Sequence, residues 1–284
     1  MCALDVVPFV AVNCNDKRGE KMTGIIIVAS VALIAGLLLS ISSLIFATEK
    51  DEKVEALTEA LPGINCGACG YSGCEAYAKA LAKKETQNGL CPPGGEETVI
   101  AVAEILGEEA AVMEKKIAVV KCQGHTGNTK AKMTYQGYDT CQAASLIYGG
   151  DGACQYSCLG KGDCQIACPE NAIEIENGLA VVAPHLCTGC SICVKVCPKN
   201  VIDIVPKKLN QHIACKNTDK GAATRKVCQT GCIGCMKCQK ACEVGAITVK
   251  NFLATIDEKT CTNCGKCVKL CPVNAIVCPV SAVV

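Results

Sequence analysis

The longest apolar stretch of the chain, GIIIVASVALIAGLLLSISSLIF from Gly24 to Phe46, is interrupted only by serines and contains no charge. As a helix it would be roughly 34 Å long, enough to cross the hydrocarbon core of a bilayer. It reads as a transmembrane anchor, since a cleaved signal peptide has a shorter apolar core and a small-residue cleavage site. The pattern then changes. Val54, Leu57 and Leu61 recur at helical spacing among charged residues, which predicts a short amphipathic helix over 48–61, stopped by Pro62 and Gly63. Alanine and leucine on one face predict a helix from Glu75 to Glu85, ended by Asn88-Gly89, and Glu97 to Met113 predicts an alanine-rich helix. Ile117 to Val120 predicts a short buried strand. From Ile173 to Val182 an alternating pattern is broken by Asn177-Gly178, a hairpin with a type I′ turn, and Ile247 to Ile256 repeats it around Asn251.

Cysteine spacing organises the rest. Cys187, Cys190, Cys193 and Cys197 follow C-x2-C-x2-C-x3-C with Pro198 behind them, and Cys261, Cys264, Cys267 and Cys271 repeat this with Pro272. Cys232, Cys235, Cys238 and Cys242 keep the spacing with Glu243 at the proline position, and Cys154, Cys158, Cys164 and Cys168 give a looser C-x3-C-x5-C-x3-C-P. This is the bacterial ferredoxin run, in which three thiolates wrap one face of a cubane and the fourth ligates the neighbouring cluster. Carrying that rule over assigns Cys154, Cys158, Cys164 and Cys197 to one [4Fe-4S] cluster and Cys187, Cys190, Cys193 and Cys168 to the next. The second module pairs Cys232, Cys235 and Cys238 with Cys271, and Cys261, Cys264 and Cys267 with Cys242. Zinc sites usually show two separated C-x2-C pairs, and disulfide scaffolds are short secreted chains, so both are weaker readings.

A separate loop, Cys66-Gly-Ala-Cys69-Gly-Tyr-Ser-Gly-Cys74, has the small residues that let backbone amides approach sulfur. Cys91 supplies its fourth thiol, and a zinc knuckle is the alternative. Five clusters are thus expected. Cys122, Cys141, Cys215 and Cys228 remain inside the folded region. Cys215 ends Gln211–Ala214 as Cys122 ends its own strand, so the two are expected side by side in one sheet, with a sixth cluster on these four thiols. Buried small hydrophobes are the alternative reading. Cys278 reads as structural, and Cys2 and Cys14 are given no role.

Composition narrows the classes. The chain has 27 cysteines in 284 residues, no tryptophan and 3% aromatics, so the cysteine-rich modules are expected to fold around inorganic cores. The spacing is for metal, which points to a reducing, anaerobic cytoplasm instead of disulfides. A net charge of +1 argues against a nucleic-acid partner. Gly124, Gly127 and Lys130 have the wrong spacing for a phosphate loop, the histidines are scattered, and no dinucleotide fingerprint occurs. The chain therefore carries electrons and has no substrate-converting site. One span without a charged residue offers no ion path.

Lys17, Arg18 and Lys21 precede the span while Lys50 and Lys53 follow it, which by the positive-inside rule would leave the clusters outside the cell without a donor. A start at Met22 removes the three leading basic residues and agrees with cytoplasmic cluster domains; an N-terminal sequence beginning upstream of Met22 in native protein would exclude it.

A membrane span, then CGACGYSGC with CPPGG, then tandem ferredoxin modules resembles the B component of the Rnf complex, the ion-translocating ferredoxin:NAD oxidoreductase, over residues 24 to about 277. The second module, from Cys228, looks like an extended version; shorter relatives stop after one. The resemblance implies an inner-membrane, single-pass, iron-sulfur electron-transfer subunit that takes electrons from soluble reduced ferredoxin and relays them to partner subunits. A membrane-tethered polyferredoxin serving a hydrogenase or dehydrogenase is the alternative. A corrinoid methyl-transfer role, suggested by the Cys66–Cys91 loop, lacks its cobalamin-binding barrel.

The expected architecture is α+β: a leader (1–23), a transmembrane helix (24–46), a linker helix (47–61), a [4Fe-4S] domain (62–95), a connecting region (96–150) and ferredoxin module 1 (151–205). A linker (206–227) and module 2 (228–284) follow. The lysines of Pro206 to Lys226 read either as a solvated linker or as a docking patch for acidic ferredoxin.

Overall fold

A computed structural model describes residues 16–45, 51–111 and 113–278. The chain divides into two units, one ending at Asp51 and one beginning at Glu52. In the first, helix α1 (Asp16–Ile45) begins before the uncharged run and takes in Lys17, Arg18 and Lys21. From Ile25 to Ser42 every side chain is exposed, and among the described residues this is the one stretch long and apolar enough to cross a membrane. The hydroxyls of Ser30 and Ser40 donate to the carbonyls of Ile27 and Gly36, which hides their polarity within the helix. Cys2, Cys14 and the first part of the leader lie outside the described residues, as do residues 46–50.

The second unit opens with α2 (Glu52–Ala60), α3 (Cys74–Ala82) and α4 (Gly95–Leu106). Leu57, Leu61, Tyr77, Leu81 and Val102 form their common core, so the predicted amphipathic helix buries the face its periodicity marked. Helix α3 stops before Asn88-Gly89 because Lys84 adopts φ 57°. The Tyr77 hydroxyl then pins the following loop, donating to the Gln87 carbonyl at 3.0 Å and accepting from Leu90 N–H at 3.2 Å. Helix α4 ends well before Met113. Gly107, at φ 70°, donates to Glu104, and Glu108 donates to Ala103, a left-handed cap that side-chain composition does not reveal.

Strand β1 (Lys116–Val120) leads to α5 (Cys141–Leu146), α6 (Asp163–Ile166), the hairpin β2 (Ile173–Glu176) and β3 (Leu179–Val182), α7 (Ile192–Val196) and β4 (Ile202–Pro206). Then come β5 (His212–Ile213), α8 (Gly221–Val227), α9 (Lys237–Ala241), the hairpin β6 (Ile247–Lys250) and β7 (Leu253–Ile256), α10 (Lys266–Leu270) and β8 (Ile276–Val277). Both hairpins are antiparallel and match the expected positions. Asn177 and Gly178 sit at φ 49° and 77°, and Asn251 and Phe252 at 48° and 60°, the two left-handed residues a type I′ turn requires.

The pairing of the remaining strands corrects one expectation. Strand β1 pairs antiparallel with β4, and β5 with β8, so Cys122 and Cys215 do not continue one sheet. The 206–227 segment is no solvated connector. Leu209, Ile213, Ala214, Asn217 and Thr224 within it are buried. Lys207, Lys208, Lys220 and Lys226 face outward while Gln211 and Asn217 turn in, and Lys208 and Lys216 are held by Glu114 and Asp203.

Candidate iron–sulfur sites

Backbone conformation explains the two-residue spacing. In each regular motif the residue before the second cysteine and the residue after it are both left-handed: Gly189 (φ 74°) and Ser191 (64°), Gly234 (65°) and Met236 (60°), Asn263 (57°) and Gly265 (70°). The chain thus wraps round the second cysteine and delivers the third, Cys193, Cys238 or Cys267, into the short helices α7, α9 and α10. Glycine is needed at two of these positions. A Cβ on Gly189 would lie 2.6 Å from the Lys116 carbonyl oxygen, and one on Gly234 2.7 Å from Cα of Phe252 in the β6–β7 turn.

The structure brings most of the expected quartets together. Cys232, Cys235, Cys238 and Cys271 line a cavity with an empty volume of about 360 Å³. Cys168, Cys187, Cys190 and Cys193 line one of about 320 Å³. Cys242, Cys267 and Cys271 share one core, and Cys261 and Cys264 are charge neighbours of Cys267. In the first cluster domain, burial pushes the Cys91 thiol up to about 11, and the nearby Cys74, Cys69 and Cys66 push the same way, while Gly94 N–H opposes them. Among the described residues no three of these groups close on a single metal-ion site. Two of the quartets instead ring cavities.

The structure sets Cys154 apart from Cys158, Cys164 and Cys197, the other members of its expected quartet. Cys158-Leu-Gly160-Lys161-Gly162-Asp-Cys164 has left-handed residues at Gly160 (φ 63°) and Gly162 (87°), the same two positions as in the regular motifs. Lys161 therefore stands where the second cysteine belongs. A Cβ on Gly160 would strike the Gly178 turn of β2–β3 as one on Gly234 would strike its own hairpin turn, which supports the alignment of the two loops. The structure brings Cys141 to this place, beside Cys158, Cys164 and Cys197. The Asp163 carboxylate accepts from Cys141 N–H at 2.8 Å and Gln142 N–H at 3.0 Å and so docks the start of α5 beside Cys164. Burial pushes the Cys164 thiol up to about 12, with Cys158, Cys141 and Cys197 adding to the rise. Cys154 faces elsewhere, towards Asn217 and Cys228.

Comparison with known proteins follows this layout. A model described as "Putative Fe-S cluster" matches residues 61–93, a 4Fe-4S binding domain 180–203 and a 4Fe-4S dicluster domain 231–275. The B component of the ion-translocating oxidoreductase complex of Methanosarcina acetivorans is 38% identical over 239 residues, covering 84% of this chain and 90% of the relative. The chain belongs to the family of B components of the ion-translocating oxidoreductase (Rnf) complex. The B component of the Na(+)-translocating ferredoxin:NAD(+) oxidoreductase complex of Acetobacterium woodii is 42% identical over 79% of this chain and 68% of its own length. The proton-translocating counterpart of Clostridium ljungdahlii is 38% identical over 82% and 83%.

As a member of this Rnf family, the chain is the electron-transfer, [4Fe-4S]-carrying component of an oxidoreductase translocase. Its thiols fit that cofactor. Ala118 N–H donates to Cys187 Sγ at 3.3 Å, Ala172 N–H to Cys168 Sγ at 3.4 Å and Ala275 N–H to Cys271 Sγ at 3.2 Å, the backbone donors that stabilise thiolate ligands. Burial holds Cys193 up at about 12 and Cys238 at about 11, so without a cation these groups stay protonated. Iron supplies the compensating charge. In this Rnf component neighbouring sites also lie close enough to feel one another's charge. Cys66 is a charge neighbour of Cys190, and Cys164 of Cys193.

Proposed function

We propose that the chain relays electrons from soluble reduced ferredoxin to partner subunits through a row of [4Fe-4S] clusters. Five have the ligand sets Cys66/Cys69/Cys74/Cys91, Cys168/Cys187/Cys190/Cys193, Cys141/Cys158/Cys164/Cys197, Cys232/Cys235/Cys238/Cys271 and Cys242/Cys261/Cys264/Cys267. The observation that carries this reading is the adjacency of successive sites. Lys195, beside Cys193 and Cys197, reaches the Cys66 carbonyl, and so ties the small cluster domain to the first module. Helix α1 crosses the inner membrane once, with the cluster domains on the cytoplasmic side. The C-terminal module receives the electron and the Cys66–Cys91 site, first after the apolar helix in sequence, delivers it. Clusters span potentials of roughly −700 to +450 mV, tuned by burial and hydrogen bonds to sulfur, so one chain can hold a graded series.

Anaerobic purification from native membranes in mild detergent tests this. Recovery with flavin-bearing membrane subunits and ferredoxin-dependent NAD reduction is the expected result. Recovery with a hydrogenase, or alone, would leave the relay standing and overturn the complex.

A further inference from the structure

The first module's misaligned cysteine leaves Cys154 without a place in the five sites above. It lies in a cavity between the modules, with Cys122, Cys215 and Cys228 around the same space. The empty volume there is about 340 Å³, between the 320 and 360 Å³ of the two cavities lined by regular ferredoxin quartets. Hydrogen-bond partners lie beside all four sulfurs. Gly124 N–H donates to Cys122 Sγ at 3.2 Å, Asn217 Nδ2 to Cys154 Sγ at 3.5 Å and Asn217 N–H to Cys215 Sγ at 3.4 Å, while the Thr230 hydroxyl lies 3.6 Å from Cys228 Sγ. Asn217 is itself buried and its amide is fixed by Asp219 N–H, so this donor is built into the fold. Four isolated thiols serving only as small hydrophobes would need no such donors.

We infer that Cys122, Cys154, Cys215 and Cys228 bind a sixth [4Fe-4S] cluster, and that this cluster is the electrical junction between the two ferredoxin modules. Both sides are in contact. Cys158 N–H, from a ligand loop of module 1, donates to Cys122 Sγ at 3.5 Å, and Cys232 N–H, from the first ligand loop of module 2, donates to Cys215 Sγ at 3.3 Å. The site takes one electron from one neighbour and passes one to the other, with no net change. The junction role rests on the relay reading proposed above; the ligand set does not.

The test uses full-length protein isolated anaerobically from its native membranes. Wild type is expected to hold iron for six clusters, about 24 atoms per chain; iron for five overturns the site whatever the variants do. Cys154→Ser and Cys215→Ser are each expected to lose one cluster, and the double variant no more than either alone. A double variant that loses two clusters would put Cys154 back in module 1 and overturn the ligand set. Freeze-quench EPR after mixing with reduced ferredoxin tests the junction. In Cys215→Ser the clusters of one module should stay oxidised on the timescale in which wild type is fully reduced, and equal reduction of both modules overturns the junction. Failure of ferredoxin to reduce even wild type sinks the relay reading and the junction with it, while the iron count still decides the site.

Discussion

Lys195 Nζ donates to the carbonyl oxygen of Cys66 at 2.5 Å, joining α7 of the first module to the cluster loop that precedes it by more than a hundred positions. The lysine is exposed, so its loss should cost only about 1 kcal/mol of stability. Its position matters more than its energy. Lys195→Met is expected to retain all iron while weakening the EPR spin coupling between the Cys66–Cys91 cluster and its neighbour; unchanged coupling would show that the contact does not set their separation.

Lys161 offers a rescue. In Cys141→Ser one cluster should be lost, and adding Lys161→Cys restores the regular C-x2-C-x2-C-x3-C spacing on a loop whose backbone already has the matching turns. Iron analysis and the visible charge-transfer band should return to wild-type values. If the double variant stays one cluster short, the alignment of the two loops is wrong.

Two glycine substitutions separate backbone strain from crowding. Gly265 has open space around its Cβ direction, so Gly265→Ala should cost only the left-handed penalty of about 1–2 kcal/mol and keep its cluster. Gly189→Ala adds a clash with the Lys116 carbonyl at 2.6 Å. It should lose iron from the Cys168/Cys187/Cys190/Cys193 site during purification, which iron content per chain measures directly.

His212 should make the fold acid-sensitive above the range where carboxylates titrate. Burial lowers its pKa to about 4, helped by Lys121 and opposed by the Val120 hydrogen bond and Asp203. The unfolded chain, with a pKa near 6.5, binds the proton first, so stability falls as pH drops from about 6.5 towards 4, by up to roughly 3 kcal/mol. Thermal melts of anaerobic wild type and His212→Gln at pH 7.5 and 5.5 should show a larger loss in wild type. Parallel losses would place the sensitivity elsewhere.

Regular spacing is what made the ferredoxin motifs legible. Three thiols two residues apart force one backbone path, so the ligand loops could be read directly, as could both hairpins from their turns and the helix from its uncharged run. The first motif is less legible because C-x3-C is visible in the letters, whereas the match to the regular loops, Gly160 and Gly162 flanking Lys161, is conformational. It was nevertheless present as Leu-Gly-Lys-Gly-Asp set against Thr-Gly-Cys-Ser-Ile. The burial within 206–227 was illegible for another reason. Its lysines announce solvent, but Asn217 and Thr224 are buried in a hydrogen-bonded turn that hydropathy scores as polar. Cys122 and Cys215 meet through packing of different sheets, a relation local patterns do not encode.

The pairing of β5 with β8 bears on how such a chain can be lengthened or shortened. Ala214 N–H donates to the Ala275 carbonyl at 2.8 Å, so the strand presenting Cys215 is fastened by residues that follow the last ferredoxin motif. The second module is therefore no bead that recombination can add or remove at will. A gene cut back to one module would forfeit the middle of the protein along with its end, leaving Cys122 and Cys154 facing solvent.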